Sequence, residues 1–336
     1  MNAPNPGSPE WLALVDEDVI DPERPIVDPH HHLWPARYGL DELLADTGSG
    51  HRIEKTVFIE CHASYRSDGP EHLRPVGETE FVAQAAAKSA AGPGATIAAI
   101  VAHADLRLGD KLEEALDAHA AAGQGLFRGI RHAGAHAGEH ASSLLIAGRG
   151  PAGLYADTDF RAGVRRLGER GLCYDTWHYH FQNRDFLELA RAVPNTTLVL
   201  DHFGTPLGVG PFADQRPAIF EQWKKDIAEI ASCPNVIAKL GGLAMPDNGF
   251  GWNTAPKPPS SDEFVEAQAP YYLHTLECFG AERCMMESNF PVDRMSLGYR
   301  VLWNGLKKIV AGASETEKQA LFSGTATRVY RLEGSQ

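Results

Sequence analysis

Basic residues, cysteines and long apolar runs are all scarce in this sequence. Lysine and arginine number 31 against 44 acidic residues, and the net charge of −13 argues against a nucleic-acid partner, which needs clustered cations. The five cysteines form no C-x-x-C pair, so we expect reduced thiols in a reducing compartment. No window approaches the ~20 apolar residues of a membrane span. These absences predict a cytoplasmic protein with a small-molecule partner and no membrane partner, and they leave its oligomeric state open.

Short apolar or β-branched runs alternate with longer amphipathic stretches along the 336 residues. This alternation is typical of βαβ units around a parallel sheet. The runs number eight: Ile26–His32, Lys55–Cys61, Thr96–His103, Leu126–His132, Leu172–His180, Thr196–Phe203, Asn235–Gly241 and Arg283–Asn289. Eight such units predict an α/β fold of the (β/α)8 TIM-barrel type. An open doubly wound sheet is less favoured because no glycine-rich phosphate fingerprint follows the first run.

The predicted helices lie between and after these runs: Glu78–Ala91, Asp110–Ala122, Asp157–Arg170, Arg184–Ala192, Ala213–Ala231, Asp262–Phe279, Tyr299–Val310 and Ser314–Tyr330. Two irregular segments, Ser64–Gly77 and Leu243–Ser261, follow the second and seventh runs, where barrel loops build the substrate pocket. No linker divides the chain. We therefore expect a single barrel domain at 26–336, preceded by an N-terminal extension at 1–25.

Histidines mark the ends of many predicted strands, which is where barrel enzymes place their catalytic groups. Five of the eight strands, the first and the third to sixth, end in or beside a histidine. On the first strand, His30 and His32 share one facing because side chains alternate along a strand. Two imidazoles in this arrangement can bind a divalent cation such as zinc or manganese. An H-x-H pair alone is weak evidence, and its place at the end of the opening strand strengthens it.

Six segments resemble one enzyme family in order. The opening Asp28-x-His30-x-His32-x-Trp34 is similar to the first motif of the amidohydrolase-related family, in the branch that contains sugar lactonases and pyrone-dicarboxylate lactonase. The other five segments are FRGIRH at 127–132, YH at 179–180, LDHFG at 200–204, KLGG at 239–242 and ESNFPVD at 287–293. The resemblance extends from about 26 to about 330.

The resemblance implies a barrel that opens esters, lactones or amides by adding an activated water to a carbonyl. It also implies that four histidines form the floor of the site: His30, His32, His180 and His202. Strand alternation gives Asp201 and His202 opposite facings, and we expect the histidine to point inward and the aspartate to pack outside. His178 shares the facing of His180, so we expect it to contact the substrate, with packing beside Trp177 as the alternative.

The end of the eighth strand departs from the family pattern. Many relatives carry there an aspartate that takes the proton from the attacking water, whereas this chain has Asn289. Glu287, with the same facing, could supply the carboxylate, and Asp293 in the following loop is a second candidate. An ion pair in the barrel core is the alternative role for Glu287. We therefore assign Glu287 and Asn289, together with His180 and Arg131, to the catalytic group and Asp293 to the substrate contacts.

Charged residues near the other strand ends are candidates for holding the substrate. Arg131 could bind a substrate carboxylate or polarise a carbonyl through its planar fork. Glu60 and His62 end the second strand, and Arg66 in the loop after it could close over an anionic ligand. Lys239 on the seventh strand could form a Schiff base, although a salt-bridged barrel lysine is commoner.

These observations lead to one main hypothesis and two alternatives. The main hypothesis is hydrolysis of a small lactone that bears a carboxylate, with His30, His32 and His202 as ligands of one zinc or manganese ion. Carbonyl activation without a metal stays open. The first alternative is a metal-dependent, non-oxidative decarboxylase, because the same histidines serve that reaction. The second is a catalytically inactive barrel that binds a metabolite.

Overall fold

The computed structural model describes residues 4–332, and its centre is an eight-stranded sheet. The strands are β1 (Ile26–His31), β2 (Ile53–Ile59), β3 (Thr96–Ala102), β4 (Phe127–Arg131), β5 (Cys173–Thr176), β6 (Leu198–Leu200), β7 (Val236–Leu240) and β8 (Cys284–Met286). Each strand pairs in parallel with the next, and a parallel bridge between His31 and Phe290 joins the first and last strands. The predicted (β/α)8 barrel is confirmed.

The helices surround the sheet: α1 (Pro9–Leu12), α2 (Leu40–Thr47), α3 (Val76–Ala91), α4 (Lys111–Ala122), α5 (Thr158–Glu169), α6 (Asn183–Ala192), α7 (Arg216–Ala231), α8 (Ser261–Phe279), α9 (Tyr299–Ile309), α10 (Glu315–Gln319) and α11 (Thr325–Val329). The predicted bounds of α3 to α9 agree with these to within three residues. The sequence did not predict α2. The last predicted helix is interrupted by a π turn, Ala320–Gly324, between α10 and α11.

Strands β5 and β6 are shorter than predicted, and this changes which way the following histidines point. The predicted strands continue to His180 and Phe203, whereas the observed ones end at Thr176 and Leu200. After β6, His202 and Phe203 have φ angles of 53° and 58°, in the left-handed region that a strand cannot contain. Alternation along a strand therefore does not apply to these positions.

The barrel interior is filled by side chains rather than left as a channel. Val57, Val101 and Val199 belong to an inner apolar cluster, to which every strand except β4 contributes at least one inward residue. The ring of Tyr330, just after α11, joins the same cluster and is fully buried. A larger apolar cluster fills the space between strands and helices. The polar side chains of the barrel interior therefore lie above the inner cluster, toward the carboxyl ends of the strands.

The N-terminal segment packs onto the barrel. Trp11 of α1 is fully buried and its indole nitrogen donates to the carbonyl oxygen of Ala255 at 3.1 Å. The ends of the predicted extension (1–25) and of the predicted domain (26–336) lie outside the described residues, at 1–3 and 333–336. Among the helices in 4–332, none is both long enough and apolar enough to cross a bilayer.

Candidate active site

Two histidines and a glutamate converge where β1, β6 and β8 end. Nδ1 of His202 lies 2.7 Å from Oε1 of Glu287, and Nδ1 of His30 lies 2.8 Å from Oε2 of the same carboxyl group. The rings of His30 and His202 are 4.5 Å apart between centroids. All three side chains are buried. The structure thus brings together three of the predicted site residues.

Burial dominates the ionisation of this cluster. It raises the pKa of Glu287 to about 8, against the opposing effect of the Lys239 ammonium. It lowers the pKa of His202 to about 3 and holds the pKa of His30 well below its usual value. Both rings are therefore neutral at neutral pH, as a metal ligand or a proton acceptor must be. A carboxyl group with a pKa near 8 can give or take a proton in the same range.

His32 adds a second imidazole beside His30. Its Nδ1 lies 2.8 Å from the carbonyl oxygen of Ile59, so the ring proton is on Nδ1 and donates to that carbonyl. Nε2 of His32 is left with a free lone pair, 3.3 Å from Nε2 of His30. The carbonyl of Ile59 therefore orients His32 toward the cluster.

A network of buried charges lies directly beneath the cluster. Arg131 donates to Oε1 of Glu60 at 2.8 Å and lies 3.4 Å from Oδ2 of Asp201. Lys239 lies 2.8 Å from Oδ2 of Asp175, 3.1 Å from Oδ1 of Asp201 and 3.2 Å from Nδ1 of His30. Although burial alone would lower it, the pKa of Lys239 is raised by the two aspartates. Lys239 is thus a salt-bridged lysine. It is not suited to form a Schiff base, because that role needs a depressed pKa.

The expected facing of Asp201 is wrong. Its carboxylate points into the barrel toward Lys239, Arg131 and His30, yet the neighbouring His202 also reaches the cluster. The φ angle of 53° at His202 turns the backbone at the end of β6. Two consecutive side chains can therefore point to the same side, which a regular strand forbids.

Asn289 and Asp293 form a pair next to this cluster. Nδ2 of Asn289 donates to Oδ1 of Asp293 at 2.8 Å, and Oδ2 of Asp293 accepts from the backbone of Ala244 at 3.1 Å. Burial raises the pKa of Asp293 well above its usual value. Both oxygens of Asp293 are thus engaged in fixing the loop after β8 against the loop after β7.

The structure does not bring the strand-five histidines into the cluster. Nε2 of His178 lies 3.0 Å from Oδ1 of Asn183, and the ring packs on Phe186 between strand and helix. His180 packs edge-on against the exposed Phe181 and against Phe212. Within residues 4–332, none of the ring contacts of these two histidines involves His30, His202 or Glu287. The end of β5 at Thr176 explains the difference, because their facing was taken from a strand that continues to His180.

The residues after β2 lie at the rim of the barrel. The side chain of His62 is 64% exposed, and its Nδ1 lies 2.9 Å from the hydroxyl of Tyr65. Its Nε2 is 3.6 Å from Oε2 of Glu60, so His62 can reach a molecule at the mouth. Arg66 instead forms an ion pair with Glu80 on α3, away from the mouth.

A long loop after β4, residues 132–157, covers one side of the mouth. The backbone nitrogens of Leu145 and Ile146 donate to the two oxygens of Asp247, in the loop after β7, at 2.7 and 2.8 Å. The backbone nitrogen of Gly148 donates to the hydroxyl of Tyr179, after β5, at 2.7 Å. The loop thus joins the ends of β4, β5 and β7 at the carboxyl face of the barrel.

Tyr330 is a residue near the site that was missed from the sequence. Its hydroxyl donates to Oδ2 of Asp175 at 2.6 Å, from the opposite end of the barrel. Nothing in the sequence indicated this contact. Trp177 lies just after the end of β5 and packs in a small apolar cluster with Tyr179, and its buried Nε1 has no hydrogen-bond partner in the described part of the chain.

The donor set fits a divalent cation. One ligand atom each from His30, His202 and Glu287 lies within 4.8 Å of the other two, and imidazole and carboxylate are common zinc ligands. Oε2 of Glu287 has no hydrogen-bond partner within 4–332. Nδ1 of His30 is 2.8 Å away, but the two atoms are not aligned for a hydrogen bond. Four buried carboxylates, Glu60, Asp175, Asp201 and Glu287, face two buried cations, Arg131 and Lys239. A dication would balance this excess.

Comparisons with known proteins show the family of the chain. The sequence profile of a family described as "Amidohydrolase" matches residues 27–332. Among curated proteins, an uncharacterised protein of Sinorhizobium fredii, y4mH, is 32% identical over 324 residues, which cover 91% of this chain and 98% of that one. An L-fucono-1,5-lactonase of Burkholderia multivorans is 28% identical over 177 residues, 52% of this chain and 57% of the relative.

Solved structures share the fold. An amidohydrolase from Burkholderia multivorans with bound zinc has a TM-score of 0.67 and 22% identity, over 92% of this chain and 99% of that one. The profile match at 27–332 covers the whole barrel, from the second residue of β1 to the last described residue. The chain is therefore a hydrolase that belongs to the amidohydrolase family.

Proposed function

We propose that this protein hydrolyses lactones by adding water to the ring carbonyl. The observation that carries the proposal is the convergence of His30, His202 and Glu287, with a carboxyl pKa near 8, at the carboxyl ends of the strands. The names of the relatives support this reaction class, since two of the similar curated proteins are L-fucono-1,5-lactonases. Acyl transfer to water needs a proton acceptor beside a carbonyl-polarising group, and the cluster can provide both.

Glu287 is the proton carrier in this mechanism. His202 donates to its Oε1, which leaves Oε2 without a hydrogen bond from the protein. Oε2 accepts a proton from water as the water oxygen forms a bond to the lactone carbonyl carbon. The same proton then passes to the ring oxygen as the bond between that oxygen and the carbonyl carbon breaks, and the product is a hydroxy acid. Asn289 cannot replace Glu287 in this role because an amide does not accept a proton at neutral pH.

A divalent cation, zinc or manganese, would be held by His30 and His202, with His32 adjacent and Glu287 beside it as the base. When bound, it would polarise the lactone carbonyl and lower the pKa of a nearby water. The residues of the chain have the remaining roles. Arg131 and Lys239 fix Asp201 and Glu60 beneath the cluster, His62 at the rim contacts the substrate, and the loop at 132–157 covers one side of the mouth.

The experiment is a hydrolysis assay on a panel of 1,4- and 1,5-lactones, followed by proton release at fixed pH, with the purified protein before and after loading with zinc or manganese. We expect turnover of at least one lactone that Glu287→Gln abolishes. The matched control is Glu78→Gln, a buried carboxyl of similarly raised pKa outside the cluster. Wild-type protein that turns over none of the lactones in either state contradicts the proposal.

A further inference from the structure

The groups of the candidate site are closed off from solvent. His30 and Glu287 have no exposed surface, and His202 is 3% exposed, so a substrate reaches them only after part of the chain has moved. We infer that the moving part is a lid at 138–147, in the loop after β4, and that the carboxylate of Asp247 is the latch that holds the lid closed. The inference goes beyond the proposed function, because it concerns entry to the site and not the reaction.

A short antiparallel stem carries the lid on residues 135–137 and 148–150. The backbone nitrogen of Gly150 donates to the carbonyl oxygen of Ala135 at 2.7 Å, and an antiparallel bridge joins the two segments. Gly138, the first residue of the lid, has a φ angle of 53°, a conformation that glycine adopts without strain. The lid can therefore turn about the end of the stem while the stem keeps its hydrogen bonds.

The neighbouring loop after β7 is fixed, in contrast to the lid. Residues 241–248 are all buried, and Ala244 is held on both sides, by Asp293 at its backbone nitrogen and by Ser296 at its carbonyl oxygen. No residue of the lid is buried. A segment with little buried surface opens at low cost, so the lid can leave while the loop after β7 stays in place.

A carboxylate joins the lid to this fixed loop. The backbone nitrogens of Leu145 and Ile146 donate to Oδ1 and Oδ2 of Asp247 at 2.7 and 2.8 Å. Hydrogen bonds to an ionised acceptor are roughly twice as strong as neutral ones. Asp247 lies in the buried segment and does not follow the lid, so both bonds break when the lid opens. They therefore set how often it opens.

Apolar contacts give the closed lid a seat. Leu144 and Ala147 pack on the small apolar cluster that includes Trp177. The ring of His140 lies edge-on against that of Phe212, at 5.0 Å between centroids. These lid side chains are only partly buried, so their contacts guide the lid into place, and the two bonds to Asp247 fix its orientation.

Amide hydrogen exchange, followed by mass spectrometry, tests the latch. Asp247→Asn keeps the shape of the side chain but turns an amide N–H group toward a backbone N–H, so we expect exchange at 138–147 to be roughly 10-fold faster than in wild type. Exchange in the strands should not change. The matched control is Asp157→Asn, because Asp157 also accepts from two backbone nitrogens, at the start of α5. It should leave exchange at 138–147 unchanged.

A second variant removes the latch from the lid side. Leu145→Pro deletes one donor, and Leu145 is 61% exposed, so little packing is lost. Leu144 has a ψ angle of 139°, which suits a following proline. This variant should also speed exchange at 138–147, and it keeps the test decisive if Asp247→Asn does not fold.

Diethyl pyrocarbonate, which acylates neutral imidazoles that it can reach, tests whether the lid is the entrance. Peptide mapping should show that His202 is acylated roughly 10-fold faster in the two latch variants than in wild type. His119 is the internal control, because its ring is fully buried on α4. The rate of acylation of His119 should not change.

Unchanged exchange at 138–147 in a folded latch variant overturns the latch. Faster exchange of the lid without faster acylation of His202 overturns the lid as the entrance. Faster exchange throughout the barrel, together with faster acylation of His119, assigns Asp247 to the fold as a whole and also overturns the inference. None of these measurements needs turnover, so a failure of the proposed function shows separately, in the lactone assay.

Discussion

The imidazole of His202 lies 2.7 Å from the carboxyl of Glu287, and this contact connects the ends of β6 and β8. The same carboxyl group faces His30 of β1 through its other oxygen, at 2.8 Å. One glutamate thus links three strand ends at the point where the barrel closes. Burial prepares Glu287 for proton transfer, because it raises the pKa of the carboxyl group to about 8.

Replacing Glu287 by glutamine should lower kcat by about 10²–10⁴, because an amide of the same shape cannot accept the proton of water. The fold should persist, since the amide oxygen can still accept from His202. Steady-state kinetics and a thermal melt measure the two properties. A kcat within threefold of wild type would remove Glu287 from the mechanism.

The pH profile should report the raised pKa of Glu287. As a base it must be ionised, so kcat/KM of the protein stripped of metal is expected to rise with pH through about 8. Bound zinc or manganese favours the carboxylate and should move this rise to lower pH. A profile that is flat from pH 6 to 9 in both states contradicts the assignment.

Removing Lys239 should destabilise the protein strongly. Lys239→Met leaves Asp175 without a cation and Asp201 with only the longer contact to Arg131, and breaking a buried ion pair in this way costs about 3–5 kcal/mol. The double variant Lys239→Met, Asp201→Asn should lose less than the sum of the two single changes, since one unpaired charge is gone. Urea unfolding of the three variants gives these free energies. Additive losses of unfolding free energy would show that Lys239 and Asp201 do not stabilise each other.

Tyr330 should stabilise the same network from the opposite end of the barrel. Tyr330→Phe removes the hydrogen bond to Asp175 and should cost about 1 kcal/mol of unfolding free energy. In the background of Lys239→Met the cost should differ, because Asp175 then has lost its cation. Equal costs in the two backgrounds would indicate that Tyr330 acts only through packing.

Glu78 gives a stability prediction that does not depend on the proposed reaction. Burial raises its pKa to about 8, so the unfolded chain loses this proton at lower pH than the folded protein does. Its contribution therefore weakens the folded state as pH rises above the ordinary value, and the loss is complete above about 8. Glu78→Gln should show a smaller fall in urea midpoint between pH 5.5 and 8.5 than wild type. An unchanged fall would contradict the raised pKa.

The barrel itself could be predicted from the sequence, because eight apolar runs separated by amphipathic stretches leave few alternatives. His30, His32 and Glu287 could be placed because they lie on or directly beside regular strands. The predictions for His178 and His180 depended on a longer β5, and that for Asp201 on a regular β6. A local turn reverses the facing of each following residue, and single-sequence patterns do not show where such a turn begins.

Long-range charge pairing was the other feature that the sequence could not give. Arg131 has the right chemistry to bind a substrate carboxylate, and the sequence contains no sign that Glu60, 71 positions away, occupies it. Whether a cation is available for a ligand depends on which acids the fold brings to it. The structure supplies that information, since it pairs Arg131 with Glu60 and places it near Asp201.

The most direct test of the account is the product formed from an uncharged lactone by the metal-loaded protein in ¹⁸O-labelled water, compared with Glu287→Gln. The account predicts that wild type forms the hydroxy acid with one labelled oxygen in its carboxylate and that the variant forms it at the uncatalysed rate. Equal rates in wild type and variant would contradict it. So would release of carbon dioxide from an aromatic acid by a wild-type protein that leaves every lactone intact.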